Sequence, residues 1–462
     1  MNFKKYIGDR AFYRSLLAVA VPIIIQNSIT NFISLLDNVM VGQIGTEQMS
    51  GVSIVNQLLF VFNLCIFGAI SGAGLFGAQF FGNKELENLR HTFRYKVIVS
   101  LVICSGAIGL FLIAGEPLIS LYLHEGGETG DLAMTLHYAK KYLAISLFGL
   151  FPFTVTQIYA SSLREVKHTV PPMVAGIIGV CVNLCLNYVL IFGKLGAPAM
   201  GVEGAALATV ISRFVECICV VVWTHLHTKE CPFIVGVYRS FRIPRNLVRS
   251  ITITGTPLLL NETLWAAGQA MLLQCYSLRG IATVSAMNIS GIAFNTFSVL
   301  YFSMGTTISI LVGHRLGEGD LKTADSDAKK MIAFSTLLGV ISGILIAICS
   351  LFFPNLYNTT QEVRTLAASF IITVAVSAPI QAILNASYFT LRSGGKTLLT
   401  FLFDSAYVWC FTIPLSYCVI RFTNLPVEWV YFMCYNSDIV RCVIGIVLVK
   451  RGIWLNDLTK KH

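Results

Sequence analysis

Long apolar runs recur along this chain, separated by short polar segments. They cover residues 16–41, 51–79, 95–115, 138–163, 170–193, 204–224, 249–274, 283–313, 330–353, 366–391, 398–421 and 427–449. About 20 apolar residues in a helix span the hydrocarbon core of a bilayer. In lipid the backbone must satisfy its own N–H and C=O groups, so a spanning segment is a helix or part of a closed barrel. Barrel strands would alternate in polarity over about ten residues, whereas these runs are longer and uniformly apolar. The pattern predicts an all-α membrane protein with twelve transmembrane helices. The first run is too long for the apolar region of a signal peptide, so it is expected to stay as a span.

The polar segments carry the phase. Of the 33 Lys and Arg residues, Lys140, Lys141, Lys194, Arg279, Arg364 and Arg421 fall on one side of the expected membrane. Arg213 and Arg441 lie inside spans, and all the others fall on the opposite side, at the termini or after even-numbered spans. Basic residues are retained on the cytoplasmic side, so both termini are expected there, in a multi-pass protein of the plasma membrane (a bacterial inner membrane). A polar loop from about His225 to Asn246 divides the chain nearly in half. Shifting the sequence by 235 residues pairs Pro22 with Pro257, Gly45 with Gly280, Phe67 with Phe302 and Gly82 with Gly317. Six spans in each half make the repeats parallel, related by a pseudo-two-fold axis along the membrane normal. The expected organisation is an N-lobe over residues 1–228, a cytoplasmic linker over 229–248 and a C-lobe over 249–462.

Composition sharpens this reading. The chain is 55% hydrophobic and only 12% charged, against about 25% charged in soluble domains. A net charge of +10 invites a nucleic-acid reading, but no basic stripe with interleaved aromatics is present. The 13 cysteines form no CxxC pair and are expected to be small buried hydrophobes. No nucleotide-binding loop, HExxH helix or GxSxG turn occurs. Neither an enzyme activity nor a cofactor is expected, and transport would draw on an ion gradient.

An ionisable group inside a span is costly and normally faces protein or water. In span 1, Asn27, Asn31, Ser34 and Asn38 share one helical face, with Asp37 flanking it and Pro22 preceding it. Burial favours the neutral form of a carboxyl and a nearby cation favours the charged form, so Asp37 is a group that could exchange a proton for a cation. Span 7 places Glu262 near its middle, with Trp265 and Gln269 on the same face, a combination suited to an amphipathic cation. Asn56 and Asn63, Asn288 and Asn295, and Gln381 and Asn385 are spaced to line a cavity or to bond neighbouring helices. Arg213 with Glu216, and Asp438 with Arg441, read as local pairs, and Asp404 as an interfacial residue. Gly68-x-x-x-Gly72 and Gly339-x-x-x-Gly343 permit close helix contact.

Several stretches together resemble the multidrug and toxic compound extrusion (MATE) family, and the likeness covers nearly the whole chain. They are Leu36 to Gly42, Gly77 to Gly82, Ser162 to Arg164, Asn183 through Asn187 to Gly193, Gly201 to Thr209, Val312 to Gly317 and Thr390 to Arg392. The resemblance implies two six-helix lobes around a central cavity, working by alternating access. It also implies an N-lobe ion site at Asp37, Asn183, Asn187 and Thr209, although many relatives carry a carboxylate where Asn187 stands. Glu262 matches a C-lobe acid of another branch, whose second acid falls near the uncharged Gln381.

The expected function is therefore secondary-active efflux of amphipathic, cationic organic compounds in exchange for H+ or Na+. The ion site is Asp37, Asn183, Asn187, Thr209 and Glu262. The cavity is lined by Asn31, Ser34, Asn56, Asn63, Trp265, Gln269, Asn288, Gln381 and Asn385. The only metal ion expected is a Na+ at Asp37, and the expected partners are membrane lipid and small molecules, with a monomeric state. Two alternatives stay open, a flippase for a lipid-linked precursor in the same superfamily and a non-transporting membrane receptor.

Overall fold

The computed structural model describes residues 6–122, 132–357 and 359–461, and no strand occurs among them. The helices run in the order α1 (Arg10–Gly42), α2 (Thr46–Gly82), α3 (Leu86–Ser120), α4 (Leu132–Glu165), α5 (Val170–Phe192), α6 (Val202–Leu226), α7 (Arg245–Ser277), α8 (Ile281–Gly317), α9 (Leu321–Cys349) and α10 (Gln361–Ser393). The segment Thr397–Phe422 is one continuous helix, comprising α11 (Thr397–Phe401), two π-helical turns at Leu402–Ala406 and Val408–Thr412, and α12 (Ile413–Phe422). Val427–Lys450 is a last helical stretch, α13 (Val427–Asn436) and α14 (Asp438–Lys450). Eleven helical stretches among the described residues are long and apolar enough to cross a membrane. Span 7 corresponds to α7, a 33-residue helix whose polar residues, including Thr252, Thr256, Asn261, Glu262 and Gln269, dilute its apolar content. The expected all-α membrane architecture is what the chain adopts.

Local chemistry accounts for several helix ends. The Asp9 carboxylate accepts the Phe12 N–H at 2.8 Å, and that of Asp320 accepts the Thr323 N–H at 3.1 Å. Each satisfies a backbone donor that the first helical turn leaves open. The Thr323 side chain, and then its N–H, hold the exposed Asp320 carboxyl below its usual range. Helix α5 ends at Gly193, which takes a left-handed conformation at φ 65°.

The chain forms two compact units. One comprises Ile25–Gly77 and Leu86–Val248. Within it α6 packs against α4 and α5, and α3 against α4. A fully buried ion pair joins α3 to α4. Lys96 Nζ donates to Glu165 Oε1 and, at 3.0 Å, to Ser162 Oγ, and the two side chains are 0% and 6% exposed. Gly74 of α2 faces this carboxylate, where an added Cβ would stand 3.0 Å from Glu165 Oε1. Lys96 was expected among the loop cations, but it points into the protein, paired with an acid. The linker is also part of this unit. Arg94 Nε donates to Val237 O at 2.8 Å, and Phe93 packs on Phe233 with ring centroids 5.4 Å apart. Cys231 is fully buried there, and burial pushes its thiol up to about 12.

The other unit comprises Met1–Ile24, Ala78–Glu85 and Arg249–His462. Its hub is α10, which packs against α8, α9, α13 and α14. Gly339 and Gly343 let α9 approach α10. A Cβ on Gly343 would lie 2.5 Å from Ala375 O, and one on Gly339 would lie 2.6 Å from Ala382 Cβ. Leu16 and Ala20 of α1 join a buried cluster with Met304, Ile308, Leu391 and Trp454. The α2–α3 turn is held in the same unit through Gln79, whose side chain is completely buried. Its Nε2 donates to Ser393 O at 2.9 Å, and its Oε1 accepts the Leu458 N–H at 2.7 Å.

Two outcomes test these packing arguments by the thermal midpoint of purified protein in detergent. Gly343→Val should lower stability by about 1–3 kcal/mol, the usual range for overpacking a tight contact. Glu165→Gln should cost about 3–5 kcal/mol, because it leaves the Lys96 charge buried without a partner. The apolar pair Lys96→Met with Glu165→Leu should recover most of that loss.

Candidate functional site

Each unit gathers polar side chains from separate helices. In the unit that contains Ile25–Gly77, the gathering point is Asp37 of α1, partly buried. Asn187 Nδ2 donates to Asp37 Oδ1 at 2.7 Å and to Asn183 Oδ1 at 3.1 Å. Asn183 Nδ2 donates to Thr209 Oγ1 of α6 at 3.3 Å. Asn183 and Asn187 are four apart on α5, one turn along a single face, and both are buried. Turning the Asn183 amide over brings its nitrogen to 2.9 Å from Asp37 Oδ1. The buried Asn187 Oδ1 has no donor among the described residues. The four residues listed together from the sequence therefore meet at one place.

Two neighbours of this cluster carried weaker signals in the sequence. Tyr142 of α4 is buried, lies in electrostatic range of Asp37, and donates through its hydroxyl to Asn56 Oδ1 at 3.3 Å. Arg213 of α6 also acts on Asp37 electrostatically. It pairs with Glu216 at 3.3 Å and lies over the Phe153 ring at 5.0 Å. A tyrosine in an apolar run has no pattern that separates it from packing surface, and Arg213 read as a partner of Glu216 alone. Asn31 is exposed and Asn63 is half-buried. The side chains of Ser34 and Asn38 lie outside the described residues.

In the unit that contains Arg249–His462, Glu262 of α7 faces Arg392 Nη1 of α10 at 3.9 Å. Arg392 was counted among loop cations, but it is buried. Its guanidinium lies over the ring of Phe389, 5.1 Å away. Trp265 and Gln269, placed on the same face of α7 as Glu262, are exposed, as is Asn288 of α8. Gln381 and Asn385 bond neighbouring helices: Gln381 Nε2 donates to Asp438 Oδ2 at 2.7 Å, and Asn385 Nδ2 to Tyr301 O at 3.2 Å. Asp404 departs from its expected interfacial place. Its side chain is only 15% exposed and it pairs with Arg441, which also holds Asp438 at 2.9 Å. The π-helical turn at Leu402–Ala406 carries Asp404, and a sequence pattern read at the α-helical period cannot register it.

The two units share one arrangement. Arg164, near the end of α4, donates to Gln26 Oε1 of α1 at 2.9 Å, as Arg392, near the end of α10, faces Glu262 of α7. These arginines belong to the repeated Leu-Arg pairs at 163–164 and 391–392.

Comparison with known proteins agrees with this repeat. The MatE family model matches residues 22–189 and again 257–418. The matches begin at Pro22 and Pro257, the pair that the sequence aligns with itself. Similar proteins include a probable multidrug resistance protein NorM of Bacillus subtilis, 25% identical over 446 residues, covering 91% of this chain and 92% of that protein. The multidrug resistance protein MdtK of Pectobacterium atrosepticum is 26% identical over 419 residues, 87% of each chain. Among solved structures, the outward-facing conformation of a multidrug resistance MATE family transporter of the MOP superfamily has the same fold. Its TM-score is 0.87 at 17% identity, over 98% of both chains. With a family model that matches both halves and a fold shared along the chain, this protein belongs to the multidrug and toxic compound extrusion (MATE) family.

Proposed function

We propose that this protein is a multidrug efflux antiporter that moves amphipathic organic cations out of the cell in exchange for H+ or Na+. The observation that carries the coupling step is the setting of Asp37. A single carboxylate stands among amide and hydroxyl groups from α5 and α6, beside a buried Asn187 Oδ1 that lacks a donor. A proton on Asp37, or a sodium ion against it, would supply what that oxygen lacks, because an amide can turn to present either its donor or its acceptor. Ion binding would thus rearrange contacts that tie α1 to α5. That is how a small cation can bias a helix between two positions.

The similarity to NorM and MdtK, named as multidrug resistance proteins, supports the efflux reading. The acids support a cationic cargo. The flippase alternative needs a cavity with spare positive charge for a pyrophosphate, but Arg213, Arg392 and Arg441 each face a carboxylate. The proposed cycle is alternating access, with both termini cytoplasmic and the protein monomeric in the plasma membrane.

Proteoliposomes loaded with a fluorescent organic cation test the reading. Flux of the dye should follow an imposed pH or sodium gradient and stop when an ionophore collapses it. Whichever gradient drives flux identifies the ion. Asp37→Asn should fold, since the amide still meets Asn187, yet lose gradient-driven flux. Undiminished flux in that variant would defeat the coupling role.

A further inference from the structure

The geometry points to Asp438 as a proton-binding site, distinct from Asp37 and Glu262, in which Asp404 and Arg441 are fixed charges and the amide of Gln381 follows the proton. Two carboxylates here share one guanidinium. Arg441 Nη1 donates to Asp438 Oδ1 at 2.9 Å and Nη2 donates to Asp404 Oδ1. The Arg441 side chain is 8% exposed, against 17% for Asp438 and 15% for Asp404. Fully ionised, the triad carries one net negative charge within helices that read as membrane-spanning. One proton neutralises it, and a buried uncompensated charge is what such a site avoids.

Hydrogen-bond direction identifies which acid takes that proton. The second oxygen of Asp404, Oδ2, accepts from Asn261 Nδ2 at 2.9 Å. Asn261 cannot turn over. Its Oδ1 accepts the Ser405 backbone N–H at 3.3 Å, and its Nδ2 also donates to the Tyr388 hydroxyl at 3.2 Å. Both oxygens of Asp404 therefore face fixed donors, which leaves neither of them a partner that could accept a proton. The second oxygen of Asp438 meets Gln381 Nε2 at 2.7 Å, and among the described residues this is the one hydrogen bond the Gln381 side chain makes. That amide is free to rotate by half a turn. When Asp438 Oδ2 takes a proton, Gln381 can present Oε1 and accept it. Arg441 stays paired with Asp404, and its Nε still donates to Phe403 O at 3.3 Å. Other titratable groups in electrostatic range of Asp438 are Tyr407 beside the π-helical turns, Tyr435 of α13 and Cys442 of α14. Each is neutral in its protonated form, and Glu262, in electrostatic range of Asp404, is faced by Arg392, so none supplies the missing positive charge.

Proton binding at Asp438 stands on this geometry alone; its part in the transport cycle rests on the antiport reading above. Infrared difference spectra of the purified full chain, acid minus alkaline, test the binding. The wild type should show the carbonyl stretch of a protonated carboxyl, Asp438→Asn should lose intensity from it, and Asp438→Glu should restore it at a shifted frequency. The shift in Asp438→Glu reads the site even if Asp438→Asn fails to fold. A band unchanged in both variants would overturn the proposal. In proteoliposomes, Asp438→Asn should lose the dependence of dye flux on the pH gradient, and wild-type dependence in that variant would overturn the coupling part. If the wild type shows no gradient-driven flux while the Asp438 band is present, the antiport reading fails and the proton site stands.

Discussion

An ion buried inside a membrane-spanning helix needs a counter-charge or a hydrogen-bond donor beside it, and the internal architecture of this protein follows from that requirement. Lys96 finds Glu165, Arg213 finds Glu216, Arg392 faces Glu262, and Arg441 holds two aspartates at once. All but Arg213 and Glu216, which sit three apart on α6, are also joints. Lys96 and Glu165 tie α3 to α4, Arg392 and Glu262 tie α10 to α7, and Arg441 ties α14 to the π-helical turn at Leu402–Ala406. Apolar contact alone distinguishes poorly between neighbouring helices in lipid, because tails and leucines are equally greasy. Paired charges and close-packed glycines supply the missing specificity.

The same requirement separates Asp37 from the other acids. The Asn187 amide donates to it, and the cation that acts on it, Arg213, is already paired with Glu216. A carboxylate held by amides can change its charge state without leaving an arginine stranded. A carboxylate locked to a guanidinium cannot do so unless a second acid remains to hold the cation, and the doubled acid at Arg441 provides that arrangement.

Much of the fold was legible in the sequence because the bilayer imposes a length on each apolar run. The repeat was legible through Pro22 and Pro257, whose missing donors mark equivalent turns of α1 and α7. The Asp37 cluster was partly legible: an Asn pair at i and i+4 shares a helix face, but its attachment to Asp37 came only through family likeness. Three things were hidden. Lys96 and Arg392 look like loop cations when depth is judged from hydropathy, although burial puts them inside. Asp404 looked interfacial because it stands near the start of its span, and depth along a span does not show that the side chain turns inward to Arg441. Gln79 was a letter in a motif until its amide was seen joining three backbone segments.

The route of the chain through its two units has an evolutionary consequence. One family model matching both halves of the chain suggests two pieces that could once have lived apart. In the present chain the start of α1 and the α2–α3 turn belong to the unit built from the later half. Leu16 and Ala20 complete a core whose other buried members run from Met304 to Trp454, and Gln79 holds Leu458 beside it. Splitting the gene at the linker would therefore leave the later half without the residues that close its core.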